Sequence, residues 1–223
     1  MSNEFIDVFG ICFVVFIGWV VFAYLSRLNN YIKNYKKVAL LFFVGTIVLF
    51  AVYFEKIKHF FIPFSPIPFL FLFFFYCGLF ITYRYVKPCI NLTIVEKLEA
   101  RKVYFASISY RYIVYKSFDI VFQQTAILCI LASLKDFAIP YYGLVLLFAI
   151  SFSCAHIFML NRGLVIGALF LGAALFGGLL FPILLNFQYG IFYTYILHWL
   201  FYIALGVLTH FSHKFGHNTK FAL

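Results

Sequence analysis

The chain has 223 residues, of which 65% are hydrophobic and 11% charged, with a formal net charge of +10. A soluble domain is about 45–50% apolar and about 25% charged, so these proportions exclude a soluble globular fold and point to a polytopic membrane protein. The basic excess does not indicate nucleic-acid binding, because Lys and Arg sit between apolar stretches, where they set topology and attract anionic lipid headgroups.

A membrane span needs about 20 apolar residues. Seven stretches qualify: 6–25, 38–54, 66–86, 113–134, 140–161, 163–185 and 190–212. The first follows Glu4 and Asp7 instead of a basic leader, so it is expected to stay in the mature protein. Between the third and fourth spans, Asn91 to Tyr112 alternates Leu92, Ile94, Val95, Leu98, Val103 and Phe105 with charged residues. This pattern predicts a helix lying on the membrane surface. The fifth span turns tightly into the sixth through Asn161, Arg162 and Gly163. The sixth holds Gly163, Gly167, Gly172, Ala173, Ala174, Gly177 and Gly178, a density of small residues that lets helices approach closely. Packing within one subunit is the expected use; a dimer face is the alternative. Pro140 and Pro182 fall near span ends, where proline costs little. In the tail, His210, His213 and His217 share one helical face and read as a weakly basic interfacial strip.

Lys and Arg placement gives the expected orientation. Fourteen of the basic residues fall in the 26–37 loop, the 84–116 segment, the 161–163 turn and the tail, all on one side. Only Lys56, Lys58 and Lys135 fall on the other. The expected fold is therefore an all-α bundle of about seven transmembrane helices, with the N-terminus outside and the C-terminus cytoplasmic. Its divisions are 1–112 (three spans and the surface helix), 113–212 (a four-helix core) and 213–223 (a tail). Five scattered cysteines, with no C-x-x-C pair, predict neither a disulfide framework nor a zinc finger.

The chemistry-bearing residues lie inside spans. The fourth, KSFDIVFQQTAILCILAS, carries Asp119, Gln123 and Gln124. Asp119 and Gln123 are four apart and stack on one helical face, with Gln124 about 100° round. A carboxylate at bilayer depth costs at least ~2.5–3.5 kcal/mol on insertion scales, so it should face other helices or a watery cavity. The fifth span carries Phe152 and His156, and the seventh His198 and Tyr202. Polar groups on three spans are expected to converge on one interior site. Each also has a plainer reading. Asp119 could neutralise Arg111 or Lys116, and the glutamines and histidines could be interhelical hydrogen-bond partners.

This pattern resembles the CPBP family of type II CAAX prenyl endopeptidases and bacteriocin-processing intramembrane proteases, whose spans carry E-E-x-x-x-R, F-x-x-x-H and H-x-x-x-N in that order. The matching positions are Gln123-Gln124 with Leu128, Phe152 with His156, and His198 with Tyr202. The resemblance covers roughly 117–205 and places the 113–212 core within that domain type. It implies an intramembrane endopeptidase of a bacterial cytoplasmic membrane, acting on a membrane-associated peptide or protein, with membrane lipids as its other partners. The implied catalytic set is Asp119, Gln123, His156, His198 and Tyr202. An amide is not a base near neutral pH, so Asp119 would replace the family's glutamate and Tyr202 its oxyanion-binding asparagine. His156 and His198 could hold a divalent ion such as zinc. The alternative is a pseudoprotease that has lost hydrolysis and serves as a membrane binding or scaffold protein.

Overall fold

A computed structural model describes residues 10, 34–61, 65–86, 110–137, 139–162 and 164–215. Among the described residues the chain is all-helical. The helices are α1 (Tyr35–Ile57), α2 (Ile67–Val86), α3 (Tyr110–Lys135), α4 (Tyr141–Cys154), α5 (Leu164–Leu184) and α6 (Gly190–Phe215). Two 3₁₀ turns follow α1 and α4, at Lys58–Phe61 and Ile157–Arg162. Four segments are long and apolar enough to cross a membrane: Tyr35–Phe61, Ile67–Arg84, Tyr110–Lys135 and Gly167–Leu184. Apart from Gly10, the stretch 6–25 lies outside the described residues, as do residues 91–109 of the expected surface helix, Gly163, His217 and the side chains of His210 and His213.

One expected element differs. The span predicted over 140–161 is helical only to Cys154, and His156 sits in the turn that follows. The ring of His156 takes the Phe152 carbonyl through Nδ1 at 2.8 Å, the acceptor its own amide would use in a continuing helix. That amide instead donates to the Ser153 carbonyl at 2.9 Å, and the chain tightens into the 3₁₀ turn.

The chain forms two compact units. The first comprises Met1–Phe64, Arg111–Val145 and Pro182–Tyr195; the second comprises Ser65–Tyr110, Leu146–Phe181 and Ile196–Leu223.

In the first unit α1 and α3 run parallel. At one end the Arg111 guanidinium stands over the Tyr35 ring at 6.0 Å. Midway, Phe43 meets Phe118 and Phe42 meets Phe122, with ring centroids 5.7 and 5.6 Å apart. At the other end Lys56 pairs with Asp136 at 2.9 Å. Gly45 makes the contact close: a Cβ there would lie 2.7 Å from the Phe122 ring. α3 is the buried centre of this unit, with Ile113, Ile120, Leu128 and Cys129 at most 1% exposed. Two of its hydroxyls return to their own backbone, Ser117 to the Ile113 carbonyl and Thr125 to the Val121 carbonyl, so these two need no partner in the apolar surroundings. After α5 the chain turns through Tyr189, whose φ of 65° is left-handed. Asn186 donates from Nδ2 to the Tyr141 hydroxyl at 2.7 Å and to the Pro182 carbonyl at 3.1 Å, satisfying an acceptor of the last helical turn.

In the second unit α4 and α5 form an antiparallel pair. Gly178 lies against Ala149, where a Cβ would come within 2.6 Å of the Ala149 Cα, and the Ser153 hydroxyl donates to the Leu171 carbonyl at 3.0 Å. Gly167 packs as closely on Leu160. Gly178 and Gly167 are thus used for packing within the subunit. Trp199 of α6, 1% exposed, meets Phe75 and Tyr76 of α2. The rest of α2 exposes Phe69, Phe71, Phe73 and Phe74 at 49–67%. Such a surface is a liability in water and ordinary against lipid.

Candidate functional site

The polar residues of α3 form a ladder along one face. Asp119 accepts from Lys116 Nζ at 2.5 Å on Oδ2 and from Gln123 Nε2 at 2.7 Å on Oδ1. The expected stacking of Asp119 and Gln123 is thus a direct bond, and Lys116, a turn earlier, supplies the opposite charge. Lys116 and Asp119 are 8% and 9% exposed. Each carboxylate oxygen thus has a donor from the same helix, a cation on one and an amide on the other. Gln124 points elsewhere, with Nε2 3.4 Å from the Thr194 carbonyl, while Thr194 donates to the Ile191 carbonyl.

The histidines belong to the second unit. A carbonyl only accepts, so His156 Nδ1 carries the hydrogen in its bond to Phe152, and in the neutral ring the lone pair lies on Nε2. From His156 an unbroken series of rings leads to His198. His156 meets Phe152 edge-on at 5.0 Å, Phe152 meets Phe181 at 6.0 Å, and Phe181 meets His198 at 5.8 Å. His198 in turn stacks on Tyr202, with centroids 5.5 Å apart and planes within 14°. The i, i+4 spacing of F-x-x-x-H and of His198 with Tyr202 therefore produces ring contacts in both places.

Both imidazoles line one cavity of about 300 Å³ between α4, α5 and α6. Its volume has a sequence cause. Ala173, Ala174 and Gly177 of α5 leave space that the large rings of Phe152, Phe170, Phe181 and Phe201 surround without filling. The residues lining it include no carboxylate.

Of the residues expected to act together, the structure joins Asp119 with Gln123 in the first unit. In the second it brings His156, His198 and Tyr202 to one cavity. Two imidazoles supply two nitrogen donors, one short of the three protein ligands a catalytic zinc takes. Among the described residues no three His, Cys, Asp or Glu stand together to hold a metal ion. That donor set does not complete a zinc site, and no step is assigned to a metal. The cavity walls Phe170, Phe181 and Phe201 were not anticipated from sequence. Their signal was the run of small residues in a Phe-rich span, which creates volume as well as close approach.

Fold and site together define an all-helical protein with apolar, membrane-compatible helices and an aromatic cavity bearing two histidines. No protein-family model, curated protein or solved structure matches the chain.

Proposed function

We propose that the chain is a multi-pass protein of a bacterial cytoplasmic membrane with a CPBP-like core that binds a membrane-associated peptide or protein and does not hydrolyse it. In this reading seven spans place the N-terminus outside, and His156, His198 and Tyr202 line the binding cavity. The observation that carries it is the engagement of both Asp119 oxygens, by Lys116 and by Gln123. A general base needs a lone pair aimed at the proton it removes, and this carboxylate is held on both oxygens by donors of its own helix, turned along α3. The glutamine beside it cannot serve.

The second reading is a working endopeptidase. It is favoured by two imidazoles on one cavity, since histidine is the side chain most often used as a general base.

A membrane-peptide library added to purified protein in vesicles separates the two. The first reading expects the library to remain intact. Cleavage by the wild type that is lost in His156→Ala and in His198→Ala would establish the second. Cleavage that survives in an Asp119→Asn, His156→Ala double variant would belong to neither.

A further inference from the structure

We infer that the cavity of the second unit takes one hydrocarbon chain of a bilayer lipid, entering sideways between α5 and α6. The inference rests on the membrane reading above and deepens its binding proposal by naming what occupies the His156 and His198 cavity. Apart from those imidazoles and the Tyr202 phenol, every lining residue is Phe, Leu, Ala or Gly. The lining has an inner wall and a mouth. Phe170 and Phe181 are 7% and 4% exposed, whereas Phe176 and Leu200 are 62% and 50% exposed. The depth of the mouth decides the occupant. Phe176 and Leu200 lie roughly 18 and 15 Å along their helices at 1.5 Å per residue, which is about the middle of a ~30 Å hydrocarbon core. At that depth neither headgroups nor aqueous solutes reach the opening; lipid tails do. A void of about 300 Å³ between large rings would forfeit dispersion contacts on every wall, and a run of methylenes restores them. The volume also falls at the lower end of the ~300–1,000 Å³ of small-molecule sites, suited to one chain.

The test is photolabelling of the full-length protein in vesicles that contain a phospholipid with a diazirine near the end of one acyl chain. Adducts on Phe170 and Phe181, which outer lipid does not touch, are expected beside those on the exposed Phe71 and Phe73 of α2. Filling the space with Ala173→Phe, or with Gly177→Leu should the first variant fold poorly, should abolish the inner adducts and leave those on α2. Ala168→Phe, on the same helix and outside the lining, should change neither. Adducts confined to outward residues in the wild type would overturn the inference, as would inner adducts that persist when the cavity is filled. Peptide cleavage would sink the binding reading without touching this result, and missing inner adducts would do the reverse.

Discussion

At the scale of single residues the consequential feature is the Lys116–Asp119–Gln123 ladder. Two opposite charges in a nearly buried position cost less together than either does alone, so the pair is best described as mutual neutralisation. Asp119→Asn removes the carboxylate that Lys116 is paired with and is expected to destabilise the protein by on the order of 3 kcal/mol. A Lys116→Met, Asp119→Leu double variant should recover most of that loss, since a hydrophobic pair of similar volume is often neutral or better. Thermal unfolding of purified protein in detergent measures both; a double variant no more stable than Asp119→Asn would contradict the neutralisation account. Much of this was legible beforehand. The i, i+4 geometry forced Asp119 toward Gln123, and Lys116 stood in reach as one of two cations that could pair with it. What could not be read was which pairing would dominate, because that depends on how the side chains reach along α3. His156 shows the opposite limit. Its apolar surroundings suggest a continuous span, but the helix ends at Cys154 and a His156 ring nitrogen, not its amide, takes the Phe152 carbonyl. Hydropathy does not register a competition for a single acceptor.

At the scale of helices, the glycines of α5 divide into those that carry a contact and those that do not. Gly178→Ala would push a methyl against the Ala149 backbone, with 2.6 Å between Cβ and Cα, and backbone cannot swing aside. Overpacking of this kind costs about 1–3 kcal/mol. Gly172→Ala meets nothing within 4 Å and should be neutral or stabilising by roughly 0.5–1 kcal/mol, the helix-propensity gain. Comparing the two variants in one unfolding assay isolates the contact. Equal effects would mean that α4 and α5 do not depend on this approach. The sequence made the abundance of small residues plain and left their use open between packing and dimerisation. The Gly178–Ala149 and Gly167–Leu160 contacts assign those two to packing, through distances that residue spacing does not contain.

At the scale of the whole molecule, sidedness follows from pairing. α1 and α3 lie parallel from the Arg111–Tyr35 contact to the Lys56–Asp136 bridge, so the proposed membrane topology requires their starts on one face and their ends on the other. The orientation expected from charge puts fourteen of the basic residues on that first face, and lysine and arginine excess marks the cytoplasmic side. The surface bridge itself contributes little, about 0–1 kcal/mol for an exposed pair, so it reports the register of the helices rather than enforcing it. In a background without the native cysteines, Lys36→Cys and Arg111→Cys should react with an impermeant maleimide only in inside-out vesicles. Lys58→Cys and Asp136→Cys should react only in intact cells. Reaction of Lys36→Cys and Arg111→Cys from opposite sides would break the parallel pairing, whereas all four reversing together would keep the pairing and invert the orientation drawn from charge.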